Sequence, residues 1–168
     1  DAFADMTDAD VMFAGAGSIR VKELGPVVTL GNLKSCFPYD DSLTKFHVTG
    51  EQLYRVFNHL MRIENRDGEG ECYQLNQGVK VVYSDSEKQV KELKVADKPV
   101  VLDQIYTIVL QGYHYNNCES YLNLSTEDLS AIEPPQTLST SAYQVLEEWF
   151  RTHPNQDRKI EGRIVFIP

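Results

Sequence analysis

The chain has 168 residues, 42% of them hydrophobic and 24% charged, which fits one domain with an ordinary core. Its net charge of −9 argues against a surface for nucleic acid or anionic membrane, because phosphate binding needs a basic footprint. No apolar run is long enough to cross a membrane as a helix.

Residues 1–6 have the character of the tail of a helix. Residues 10–14 follow as a buried strand, with Val11 to Phe13 as its apolar run. Small residues from Ala14 to Ser18 then form a loop whose backbone can approach a partner closely. Arg20 supplies a guanidinium. Residues 27–30, entered through Gly25 and Pro26, are β-branched and predict a second short strand. Residues 31–36 predict a short helix that stops before Pro38. Phe37, Pro38 and Tyr39 then bring up an aromatic ring. A small-residue backbone, one cation and one stacking ring suit a flat ligand that is anionic or rich in hydrogen-bonding groups. The bland alternative is a strand, a tight turn and a surface arginine.

Residues 43–48 predict a strand. Thr49 and Gln52 form a capping box, and Leu53, Val56, Phe57, Leu60 and Met61 give the stripe of a helix packed on one side. Residues 65–71 are polar, acidic and glycine-bearing. They lack the ligand spacing of a calcium loop and predict a solvated one. Alternation around residues 79–83 and 90–95, joined by residues 84–89, predicts an antiparallel hairpin, with residues 105–110 as a third strand of the same set. Residues 111–121 are dense in aromatics and amides and predict a loop at a strand end, where binding residues concentrate. Residues 124–135 predict a surface connection. Ser141 with Gln144 predicts a second capping box, before a helix carrying Ala142, Val145, Leu146, Trp149 and Phe150 on its core side. Residues 161–167 end the chain as a strand.

Three cysteines, Cys36, Cys72 and Cys118, have no metal-type spacing, and their odd number leaves at least one thiol unpaired within the chain. His47, His59, His114 and His153 are scattered, with His59 expected on exposed surface.

Several segments, in order, resemble the C-terminal domain of the 5'-nucleotidase family, which includes UDP-sugar hydrolases. They are the small-residue loop ending in Arg20, Gly25-Pro26-Val27-Val28-Thr29, Phe37-Pro38-Tyr39, Val48-Thr49-Gly50-Glu51-Gln52-Leu53, the stretch from Tyr106 to Tyr121, and Glu161-Gly162-Arg163-Ile164. The resemblance runs almost end to end. It implies an α+β fold in a layered α/β/β/α arrangement with mixed and antiparallel sheets, one domain over residues 1–168. It also implies that further chain precedes Asp1, since the first residues match the inside of a helix.

In that family this domain binds the base or sugar end of the substrate between two aromatic rings. Position by position, the rings fall on Tyr39 and Tyr113, and Arg20 matches a substrate-contacting arginine. Gly15 stands where the family has a substrate-binding Asn. Glu119 stands where it has an Asp that holds ribose hydroxyls, with Asn117, Cys118 and Ser120 in place of flanking glycines. These five residues are the expected substrate site.

No catalytic residue or metal ligand is expected in this chain. The resemblance places two divalent metal ions in a preceding N-terminal metallophosphoesterase domain of the same parent chain, which performs the hydrolysis. It implies a nucleotide or nucleoside-like ligand, no nucleic acid partner and no membrane span, and a periplasmic, cell-wall or extracellular location. Two alternatives stand beside this. One is a non-catalytic module that kept the fold and lost nucleotide binding. The other is a small enzyme with Glu119 and His114 as an acid–base pair.

Overall fold

In the computed structural model the described residues are 1–66 and 71–168. Most of the expected loop at 65–71 therefore lies outside them. Helix α1 (Ala2–Thr7) ends at Asp8, whose left-handed backbone (φ 52°) stops the helix. Strand β1 (Val11–Gly15) follows, and a 3-10 turn spans Ala16–Ser18.

The next element is a helix, α2 (Leu30–Cys36). The expected strand at 27–30 is not there: Val27 is 77% exposed and Leu30 opens the helix. Its β-branched residues have no strand to pair with. Instead, Asn32 N–H donates to Thr29 Oγ1 at 3.1 Å while Thr29 N–H donates to Asn32 Oδ1 at 3.0 Å. That reciprocal cap starts a helix.

Strand β2 (Leu43–Thr49) runs into helix α3 (Gly50–Leu60) through the expected capping box, with Gln52 N–H on Thr49 Oγ1 at 3.2 Å and Thr49 N–H on Gln52 Oε1 at 2.8 Å. Gly50 is required by close approach, since a Cβ there would run into the Val101 carbonyl. The α3 stripe is buried as expected, with Leu53, Val56, Phe57 and Leu60 inside and Met61 beyond its end.

The chain continues as α4 (Ile63–Arg66), β3 (Tyr73–Gln74), β4 (Lys80–Ser84), β5 (Gln89–Val95), β6 (Lys98–Pro99) and β7 (Ile105–Gln111). It ends as α5 (Gly112–Asn116), α6 (Cys118–Leu122), α7 (Thr126–Ser130), β8 (Gln136–Ser139), α8 (Ala142–Thr152) and β9 (Ile164–Ile167).

Two sheets form. One has the order β3-β1-β7-β2-β8 and the other β6-β5-β4-β9. The β4–β5 hairpin is antiparallel, as expected, and β9 joins β4 in parallel. Strand β7 is not the hairpin's third strand. It lies at the middle of the other sheet, parallel to β1 and antiparallel to β2. Its burial explains the difference. Ile108 and Leu110 enter one core and Val109 the other, so both faces are covered.

The expected loop at 111–121 is two short helices, α5 and α6. The connection at 124–135 contains α7 and buries Leu124 and Leu129. Ser141 makes half of its expected box, accepting from Gln144 N–H at 3.2 Å, while its own N–H goes to Ser139 Oγ at 3.1 Å.

The fold is α+β. Helices α1, α2 and α8 cover one face of the five-stranded sheet around Phe3, Phe37, Leu43, Val109 and Leu146. The other face shares a larger core with the inner face of the four-stranded sheet and with α3, which touches both β2 and β5. The remaining face of the four-stranded sheet is polar, with Glu92 between Lys80 and Lys94. Trp149 is core, and its indole N–H donates to Asp5 Oδ2 at 2.9 Å, tying α8 to α1.

Phe57 is 1% exposed and packs 5.4 Å (ring centroid to centroid) from Phe13. Phe57→Ala should lower stability by about 3–5 kcal/mol in chemical denaturation. Val27→Ala, in the segment that does not join a sheet, should stay within about 0.5 kcal/mol of the parent.

Candidate functional site

Four chain passages meet at one end of the five-stranded sheet. Parallel strands β1 and β7 both finish there, and the register pairs Leu43 at the start of β2 with Gln111, and Gly15 with Tyr73 at the start of β3. In open sheets the carboxyl ends of parallel strands are where loops diverge and leave room for a ligand. Here they leave a cavity of about 610 Å³. Arg20, Tyr39, Asp40, Asp41, Glu71, Gln111, Tyr113 and His114 supply its functional lining, with Gly17, Ser18 and Pro38 completing it.

Backbone bonds fix each passage. Ala16 N–H donates to the Cys72 carbonyl at 2.7 Å, and Arg20 N–H to the Cys36 carbonyl at 2.7 Å. The small-residue loop is thereby tied to the approach to β3 and to the end of α2. The Arg20 guanidinium donates to the Tyr39 hydroxyl and lies 5.4 Å from the centre of that ring. Tyr39 in turn meets Phe37 edge-on at 6.5 Å.

Asp41 holds the passage after Gln111. Its Oδ2 accepts from Tyr113 N–H at 2.6 Å and its Oδ1 from Ser42 N–H at 2.9 Å. Gly112 makes this possible, because a Cβ there would collide with the Asp41 carboxylate and with Ser42 Oγ. Asp40 Oδ1 accepts from Ser141 Oγ at 2.7 Å and from Tyr143 N–H at 3.2 Å, at the start of α8.

Of the five expected site residues, Arg20, Tyr39 and Tyr113 line this one cavity. Gly15 is close by but behind the wall: its N–H donates to Gln111 Oε1 at 3.4 Å, and the His114 ring occupies the space a side chain would take. Glu119 is not in the cavity. It lies exposed in the first turn of α6, because Cys118 and Leu122 take the buried side of that helix. His114 is therefore paired not with Glu119 but with Glu71, at 3.7 Å from Nε2 to Oε2.

Glu71, Asp40, Asp41 and Gln111 were not among the expected site residues, and His114 was not expected to take part in binding. Gln111 and His114 do fall in the aromatic- and amide-rich stretch 111–121, whereas the three acidic residues carry no signal in the sequence. His114 is 2% exposed, sits 4.9 Å from the Tyr73 ring, and its Nδ1 has no hydrogen-bond partner among the described residues. The Tyr73 hydroxyl is buried and unpartnered there too. Burial pushes the Tyr73 phenol well up, with Glu71 adding to it. His59 is not the free surface residue expected: it is half-buried, with Nε2 2.9 Å from the Ser120 carbonyl, which ties α3 to α6.

Among the described residues no group of three or more His, Cys, Asp or Glu could hold a metal ion, and no helix is long and apolar enough to cross a membrane. The three cysteines are free thiols. A cavity with two exposed rings, one guanidinium and several fixed acceptors is equipped to bind a planar polar molecule.

The family model described as "5'-nucleotidase, C-terminal domain" matches residues 1–125. No curated protein matches the chain in sequence. Among solved structures, the NAD nucleotidase of Haemophilus influenzae has a TM-score of 0.81 at 15% identity, covering 98% of this chain and 32% of that one. The 5'-nucleotidase precursor of Thermus thermophilus has a TM-score of 0.78 at 14% identity, covering 98% and 33%. A putative 5'-nucleotidase from Staphylococcus aureus, solved with alpha-ketoglutarate, has a TM-score of 0.71 at 16% identity, covering 98% and 34%. These likenesses establish the fold, and the chain spans about a third of the length of each of these proteins.

A Cβ on Gly15 would lie 2.7 Å from His114 Cε1, whereas one on Gly17 would meet nothing closer than Glu71 Oε1 at 3.6 Å. Gly15→Ala should therefore destabilise by about 1–3 kcal/mol as the buried ring is displaced. Gly17→Ala should stay within about 0.5 kcal/mol, both read by denaturant midpoint.

Burial also pushes the His114 imidazole below its ordinary value, against the opposite pull of Glu71 and Asp41. The unfolded chain then takes up this proton at higher pH than the folded one does. The stability at stake is intact above the unfolded value of about 6.5 and is lost as pH falls below it. Between about pH 7.5 and 5.5 the parent should lose more stability than His114→Gln does.

Proposed function

The chain belongs to the family of 5'-nucleotidase C-terminal domains, and on that premise we propose that it is the substrate-recognition domain of a 5'-nucleotidase-like metallophosphoesterase. It takes the base and ribose end of a nucleotide or related phosphoester. The observation that carries this reading is the pair of rings at the cavity: Tyr39 is 44% and Tyr113 53% exposed, and both line the same space as Arg20. Rings left open at a concave site provide stacking faces for a planar base, and their hydroxyls keep them compatible with water.

Hydrolysis belongs, in this reading, to a preceding domain of the same parent chain that carries two divalent metal ions. Such a pair polarises the phosphoester and activates a water. The residues described here offer no cluster to hold those ions. The chain's own part is to bind and orient, with Tyr113 held by Asp41 through its backbone and Tyr39 held by Arg20 through its hydroxyl. The parent protein is placed in the periplasm, the cell wall or outside the cell, as its family is.

A second reading, a non-catalytic module, draws on two observations. The Arg20 guanidinium is already engaged by Tyr39, and Glu119 lies outside the cavity. Calorimetric titration of the protein with AMP and adenosine separates the two. Recognition of the base predicts saturable binding that weakens about tenfold or more with either Tyr39→Ala or Tyr113→Ala, as loss of a stacked ring does. Affinity unchanged in the double variant, or no binding by the parent protein, would leave the module reading in possession.

A further inference from the structure

The carboxylates of the cavity are not equivalent. Asp41 has a short bond on each oxygen, from Tyr113 N–H at 2.6 Å and Ser42 N–H at 2.9 Å. Asp40 is committed to the start of α8 through Ser141 Oγ and Tyr143 N–H. Among the described residues Glu71 has only long contacts, from Gly17 N–H at 3.4 Å and His114 Nε2 at 3.7 Å. Its side chain is 19% exposed and lines the cavity. A carboxylate has about four acceptor positions, and long contacts leave room for further donors, a ligand's included. The nearby guanidinium does not provide them, because Arg20 is turned to the Tyr39 hydroxyl.

A second observation points the same way. His114, 2% exposed and lining the cavity beside Glu71, has its Nδ1 without a partner among the described residues. The imidazole thus approaches Glu71 without saturating it, and both residues line the cavity.

We propose that Glu71 determines specificity in this cavity, accepting hydrogen bonds from a ligand edge that carries adjacent N–H donors. The ligand class is a planar base with a ring N–H next to an exocyclic amine, as on the Watson–Crick edge of guanine. Two parallel N–H groups match the two oxygens of a carboxylate, while the flat face suits Tyr39 and Tyr113. A base that offers an acceptor at the same edge meets the Glu71 charge and is rejected. His114 acts through Glu71 as a positioning residue.

This inference rests on the nucleotide-recognition reading, and its test keeps the two apart. Guanosine and inosine differ only in the exocyclic amine. Titrated into the parent protein, guanosine should bind more tightly by roughly tenfold or more, the discrimination expected of one hydrogen bond to a charged group. Glu71→Gln keeps the size of the side chain but loses one acceptor and the charge. It should bring the guanosine-to-inosine ratio to within about threefold, with guanosine weakened more than inosine, whose ring N–H loses only the charge on its acceptor. Unfolding midpoints of parent and variant check that both are folded. Equal affinities for the two nucleosides in the parent, or a ratio that survives Glu71→Gln, would overturn the role of Glu71 and leave base recognition standing. No binding of any nucleoside would overturn both.

Discussion

The parallel pairing of β1 with β7 is the constraint on which the rest of the structure depends. Val11, Met12 and Phe13 lie against Ile108, Val109 and Leu110 in register, and all six are buried. A parallel pair needs both faces covered, so the helices α1, α2 and α8 must lie on one side and α3 with the second sheet on the other. The same pairing makes both strands end at the same edge. The small-residue loop and the α5 segment are therefore delivered side by side, although they are far apart in sequence. The bond from Gly15 N–H to the Gln111 side chain links the two ends.

Given that convergence, the identity of residue 15 and the identity of residue 114 become one choice. The imidazole fills the volume a Cβ on Gly15 would claim, so a larger residue at 15 excludes His114 from its position. The polar group at this point is therefore His114 on the facing segment, with no side chain at position 15. Packing density makes such exchanges all-or-none, because no spare space exists for both groups.

Much of the fold was legible in the sequence because it is set locally. Helix α3 and its capping box, the β4–β5 hairpin and the burial of β1 each follow from residues close to one another in the chain. The errors have one physical origin, that competing partners were out of view. Residues 27–29 have strand propensity, but propensity without a neighbouring strand yields to the Thr29–Asn32 cap. Strand β7 looked like an extension of the hairpin because alternation does not reveal which sheet a strand joins. Within the site, Arg20, Tyr39 and Tyr113 were legible from the resemblance. Glu71 was not, since it lies in a stretch of acidic residues whose ordinary fate is solvent. Only the register of Gly15 with Tyr73 brings it to the cavity.

The polar groups left over at this end of the sheet bear on what the site is for. The Tyr73 hydroxyl and His114 Nδ1 are both buried without partners among the described residues, next to a carboxylate held only by long contacts. Each such group costs stability of order 1–3 kcal/mol relative to a satisfied one. Elsewhere in the described chain, buried polar side chains such as Asn76 and Asn65 are bonded, Asn76 to Met12 N–H at 2.8 Å and Asn65 to two carbonyls at 2.9 Å. Among the described residues, two of the three buried side-chain atoms without a hydrogen-bond partner lie at this end of the sheet; the third, Glu92 Oε1 on the four-stranded sheet, is ion-paired with Lys94 at 3.1 Å. On the nucleotide-recognition reading, the hydrogen-bonding capacity left at this edge is what a ligand completes.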